Sequence, residues 1–126
     1  MTRTNQDIPR SGDERYIAGD TAVLTVTVSV DGGDKDLTDS SASFALSQYP
    51  GAEPLVEKDT AGGGVTITNP GGGVVEVAIE PEDTASLGHA DGVDYYYELV
   101  VQDDEGNVAT VTTGTWTIHA DTATLP

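Results

Sequence analysis

The chain holds 126 residues and 13.0 kDa, enough for one ordinary domain; its 17 threonines, 15 glycines and 14 valines favour strands and turns over helices. Twenty-two acidic residues against five basic ones give a formal charge of −17, so there is no basic patch for phosphates and binding to naked nucleic acid is disfavoured. The absence of cysteine excludes a disulfide framework, thiolate zinc sites and a cysteine nucleophile.

In chain order, Met1 to Glu14 is polar and aperiodic and reads as an N-terminal arm. It lacks the apolar stretch of a secretory signal, and no run of about 18 apolar residues follows to cross a membrane. Arg3, Arg10 and Arg15 lie in or beside this arm. The body begins at Tyr16. Residues Ala22 to Val30 alternate, with Leu24, Val26, Val28 and Val30 on one face and Thr25, Thr27 and Ser29 on the other, as in a half-buried strand. Asp31-Gly32-Gly33 makes a turn. A second strand puts Ala42, Phe44 and Leu46 inward, with Ser41, Ser43 and Ser47 outward.

Short strands are predicted at Leu55 to Lys58 and Val65 to Thr68, then one with Val75, Val77 and Ile79 inward. Pro81 to Leu87 reads as a single helical turn with acids near its N-terminus. The most apolar strand, Val93 to Val101, carries Tyr95, Tyr97, Leu99 and Val101 on one side. An acidic hairpin turn leads to the last strand, Val108 to His119, where the apolar phase shifts across Gly114 and predicts a β-bulge there. The pattern is an all-β, antiparallel sandwich of seven to eight strands over 16–120, with an arm at 1–15 and a tail at 121–126. Trp116, Phe44 and Tyr97 are its large core residues.

Little in this pattern points to catalysis. His89 and His119 have no partner at metal-ligand spacing and read as surface residues. No serine lies in a nucleophile elbow. The acidic turns, Asp31, Asp34 and Asp36 in one and Asp103, Asp104, Glu105 and Asn107 in the other, lack the glycine and distal glutamate of an EF-hand loop. The glycine runs at 62–64 and 71–73 lack the lysine of a phosphate loop. The expectation is a protein without catalytic residues, metal or cofactor.

The order of motifs nevertheless has a likeness. The stretch GDTAVLTVTVSVDGGDKDLTDSSASFAL resembles the first half of immunoglobulin-like domains in tailed-virus particles, in the style of the N-terminal domain of phage baseplate upper proteins. The matching marks are Gly19-Asp20-Thr21 before a strand, Asp36-Leu37-Thr38 after a polar turn, and Phe44 within the next strand. Asp83-Thr84 and YYYELVVQDDEGNVATVTTGTWTI resemble the second half, and the likeness runs from about Tyr16 to Ala120. It implies an immunoglobulin-like fold and a structural place in a virion, and carries over no catalytic or receptor-contact residue. The chain departs from the pattern in ending at Pro126, without the receptor-facing regions such proteins often carry, and in its acidity.

That acidity sets the milieu. At this charge density a compact domain repels itself in dilute buffer, whereas at about 1 M salt the Debye length is near 3 Å. The expectation is therefore a tailed virus of haloarchaea, with the chain in the virion as a multi-copy accessory subunit touching other virion proteins and neither nucleic acid nor membrane. It would dock on a head, neck, tail or baseplate through its arm and sheet edges. Arg3, Ile8, Pro9, Arg10, Arg15 and Tyr96 are the candidate contacts, with Tyr16, Leu125 and Pro126 as further apolar ones. The alternative is a carbohydrate- or host-surface-binding adhesion module using Tyr49, Tyr95, Tyr96 or Trp116 as a stacking platform. One strand cannot aim Tyr95, Tyr96 and Tyr97 the same way, which singles out Tyr96 as the outward ring.

Overall fold

A computed structural model describes residues 2–7, 16–30 and 33–120. In chain order the elements are β1 (Thr2–Asp7), β2 (Tyr16–Ile17), β3 (Ala22–Val30), β4 (Gly33–Asp34), β5 (Ser41–Ser47), β6 (Val56–Asp59), β7 (Val65–Asn69), β8 (Val74–Ile79), α1 (Pro81–Thr84), β9 (Val93–Gln102) and β10 (Val108–His119). One sheet has the order β1-β3-β8-β7, with β4 on β3, and the other β2-β10-β9-β5-β6. Among the described residues every strand pair is antiparallel except β2 with β10. Counting β3 as strand B, this is the A-B-E-D sheet facing the C-F-G sheet, with β6 as the added C′ strand. The fold is an immunoglobulin-like β-sandwich.

The inward faces are where alternation put them. Val26, Val28, Val75, Val77, Leu99, Val101 and Ile118 have no exposed surface, and Phe44, Tyr97 and Trp116 lie among them. Each buried side chain of that size contributes about 1.5–3 kcal/mol of transfer free energy. Tyr97 stacks on Phe44, ring centroids 6.2 Å apart. Two residues earlier, the Tyr95 hydroxyl donates to the Leu87 carbonyl at 2.6 Å, which pins the start of β9 to the loop after α1. This is the tyrosine corner of immunoglobulin-like domains. Tyr97 therefore stands where antibody domains carry the second cysteine of their inter-sheet disulfide.

The described structure departs from the sequence reading in several places, and three bear on the sheets. Thr2–Asp7, within the segment read as an arm, forms β1 on the free edge of β3, with Thr2 opposite Ser29 and Asp7 opposite Thr25. An all-polar strand shows no alternation, and its place is decided by backbone partners on β3. Val30 is exposed and Ser29 buried, because β4 folds back onto the last residues of β3. The bulge of β10 lies between Thr110 and Thr112, not at Gly114, and leaves Val111 and Thr112 both buried. Gly114 has a different cause: a Cβ there would come within 2.7 Å of the Tyr97 hydroxyl and 2.8 Å of its ring.

The two lysines of the chain tie distant elements together. Lys58 on β6 reaches Asp83 in α1 at 2.8 Å, its stem lying against Gly64. The same Asp83 oxygen accepts the Glu80 amide that opens α1. Lys35, just after β4, approaches Asp103 in the β9–β10 turn at 3.7 Å. Lys35–Asp103 links the β4 side of one sheet to the β9–β10 turn of the other, and Lys58–Asp83 ties β6 to the helical turn between β8 and β9. Gly114→Ala must push the Tyr97 ring out of its place, and chemical denaturation should show a loss of about 1–3 kcal/mol.

Candidate functional site

The two outer faces differ in charge. Residues directed outward from β3, β7 and β8 include Val23, Thr25, Thr27, Thr66, Thr68, Val74, Glu76 and Ala78, with Glu76 the single carboxylate among the described outward residues of these three strands. Threonine and valine suit this face because β-branched side chains pack well on a pleated surface. The outer face of the other sheet carries Asp94 and Glu98 on β9 and Glu57 and Asp59 on β6. In a chain of charge −17, the first face is the one that approaches another protein with least desolvation of carboxylates.

The second face is hollowed along β5, whose outward residues Ser41, Ser43 and Ala45 are all small, with Ser47, read as outward, buried at its end. It sits between the taller Tyr96, Glu98, Val100 and Gln102 of β9 and the β6 side. One depression, of about 320 Å³, is lined by Ser43, Asp59, Thr60, Val100, Gln102 and Val108 among others. The next along β5, about 130 Å³, is lined by Ala45, Ala52, Pro54, Tyr96 and Glu98 among others. Val108 at the rim is 65% exposed.

Tyr96 points outward as expected and is half-buried. Its hydroxyl donates to Glu98 Oε2 at 3.0 Å; burial first, then that bond and the carboxylate's charge, push its phenol pKa up. Of the other proposed platform rings, Tyr95 and Trp116 are core residues and present no face to a ligand, whereas Tyr49 is 62% exposed in the β5–β6 loop. Arg3 lies on β1 opposite Val28, and Tyr16 opens β2 opposite Ile118. Ile8, Pro9, Arg10, Arg15, Leu125 and Pro126 lie outside the described residues.

The acidic turns use their carboxylates internally. Asp103 accepts the Asn107 amide at 2.9 Å, the Glu105 amide at 3.0 Å and Asn107 Nδ2 at 3.2 Å. Asp36 accepts the Thr38 hydroxyl at 2.7 Å and its amide at 2.9 Å, and the hydroxyl bond is the first cause of its lowered pKa. Among the described residues no cluster of three or more histidines or carboxylates is set to hold a metal. The fold does place His89 beside His119 through a parallel backbone bridge. With the two histidines so far apart in the chain, sequence spacing gave no signal of that contact. His89 Nδ1 accepts the Asp91 amide at 3.2 Å. No helix among the described residues is long and apolar enough to cross a membrane.

No family model matches the chain, and no curated protein matches it. Among solved structures it is similar to murine CRIg, at 12% identity and a TM-score of 0.43, over 94% of this chain and 98% of that one.

The Asp103 turn gives a pH test. The Asn107 amide first, then the Asn107 side chain, the Glu105 amide and the Lys35 charge, hold the Asp103 carboxyl below its ordinary value despite burial. A carboxylate with a lowered folded pKa adds stability above its unfolded pKa, about 3.9, and that stability is lost as pH falls through the folded value. Asp103→Asn should therefore lower the melting temperature near neutral pH. The gap from the parent protein should narrow on acidification below about pH 4.

Proposed function

We propose that the chain is a non-enzymatic structural subunit of a tailed-virus particle, from a virus of salt-loving archaea, present in many copies and docked on other virion proteins. The ordered likeness running from Gly19-Asp20-Thr21 to the acidic hairpin supports this reading. Those marks do turn and corner work: Gly19 adopts φ +88 before β3, Asp36 and Thr38 close a turn around the buried Leu37, and the hairpin turns on Asp103. Such residues build a stiff block and leave its contacts to its surfaces.

The observation that carries the docking half is the outer face of β3, β8 and β7, with Glu76 its lone carboxylate. In molar salt exposed ion pairs are screened, so affinity has to come from burying neutral and apolar surface. Val23, 38% exposed beside Ala78, and the flanking threonines supply it. The partner is another virion protein, and identical copies bring the same face to it. The acid-rich opposite face then stays in solvent, where it keeps the assembly soluble.

Particle incorporation tests this. Val23→Glu with Thr68→Glu puts two charges on the docking face, and like-charge and desolvation costs should cut the copies per purified particle by about tenfold or more. Ser41→Glu with Thr115→Glu, on the opposite face, should leave incorporation unchanged. Equal loss from both pairs, or from neither, would remove the docking assignment.

A further inference from the structure

We infer that the trough along β5 binds a neutral oligosaccharide. This is a second activity on the face opposite the proposed docking surface, and it stands or falls separately from docking. The two depressions lie in line, since Ser43 and Ala45 are successive outward residues of β5 and their partners Val100 and Glu98 are successive outward residues of β9. From Ser41 to Ser47 the floor spans six residue steps, about 20 Å at roughly 3.4 Å each, the reach of a short saccharide chain.

The walls present what a sugar ring requires. Ser43, Thr60 and Gln102 offer hydroxyl and amide groups beside the Asp59 carboxylate, and Val100 and Val108 offer apolar contact for ring C–H groups. Further along, the Tyr96 ring stands beside Glu98. Two of these groups are held in place before any ligand arrives. Asp59 accepts the Gly62 amide, and Glu98 accepts the Tyr96 hydroxyl. Fixing them in advance lowers the entropy lost on binding.

The backbone argues against a peptide as the occupant. β5 is bonded to β6 on one side and β9 on the other, so its main chain has no free edge with which to add a strand. An extended peptide lying in the trough could pair its amides only with side chains and water, without the strand edge that gives a peptide most of its affinity. Nucleic acids and acidic saccharides would have to set their anionic groups directly against Asp59 and Glu98, at contact distances that even molar salt, with a Debye length of about 3 Å, screens little. A chain of uncharged sugars answers both hydroxyl and carboxylate partners without either conflict.

The test is an amide-shift titration of the whole protein in molar potassium chloride. The probes are neutral tetrasaccharides of glucose, mannose and galactose, with tetragalacturonate and pentalysine as charged counterparts. At least one neutral sugar should shift the amides of β5 and of Val100 to Gln102 with a Kd on the order of 1 mM or tighter. Asp59→Asn keeps an acceptor for Gly62 and should weaken binding about tenfold, the loss of one charge-assisted hydrogen bond. Ser43→Trp fills the trough from its exposed floor and should abolish binding, with the folded spectrum retained. The docking-face pair Val23→Glu with Thr68→Glu should bind as the parent does. The inference is overturned if no neutral sugar shifts these amides by about 10 mM, if the shifts fall elsewhere, or if Ser43→Trp still binds. It is equally overturned if tetragalacturonate or pentalysine binds the trough as well as the neutral sugars do.

Discussion

Two sheets meet face to face here without a covalent bond between them, in a chain whose 22 carboxylates oppose five cations. Every other feature depends on that apolar contact holding against the charge outside it. At the position where antibody domains place a disulfide cysteine, Tyr97 lies over Gly114 and against Phe44, replacing a covalent tie with packed area. Tyr95 fastens the corner that leads into β9. Surface repulsion is smaller per pair, about 1 kcal/mol for two charges 4 Å apart in water, but it is summed over many pairs. The balance is therefore set by the ions around the protein as much as by the core inside it.

Scarcity of cations changes what each one does. Most proteins scatter lysines over their surface as solvated charges, whereas the two here each tie together elements distant in sequence, Lys58 to Asp83 in α1 and Lys35 to Asp103 in the β9–β10 turn. The acids are also unequally shared. Among the described outward residues of these strands, four carboxylates stand on β9, β5 and β6 and one on β3, β8 and β7. That asymmetry links the charge of the whole chain to the proposed division of labour: a near-neutral side that meets protein, and an acidic, hollowed side that faces solvent and sugar.

The sandwich was legible because β3, β5, β8 and β9 alternate with a period of two over six residues or more. The misplaced features are those in which alternation carries no information. β1 is polar throughout, so only the open edge of β3 reveals it. The bulge of β10 falls among Thr110, Val111 and Thr112, all strand formers, while Gly114 is a glycine for a reason that lies across the sheet, the Tyr97 ring that a Cβ would strike. Tyr96 was legible as an outward ring from parity alone. The trough was not, because it is a difference in height between β5 and β6 and a third strand, β9, that is far from both in sequence. The meeting of His89 with His119 is hidden for the same reason.

The dependence of folding on screened charge is measured most directly by following Trp116, the single tryptophan and 3% exposed, through thermal unfolding at increasing potassium chloride. Chloride is the suitable salt because sulfate would also strengthen apolar burial by exclusion. The midpoint should climb steeply from about 0.1 M and level off above about 1 M, where the Debye length falls from roughly 10 Å to 3 Å. A midpoint that does not move across that range would contradict the account.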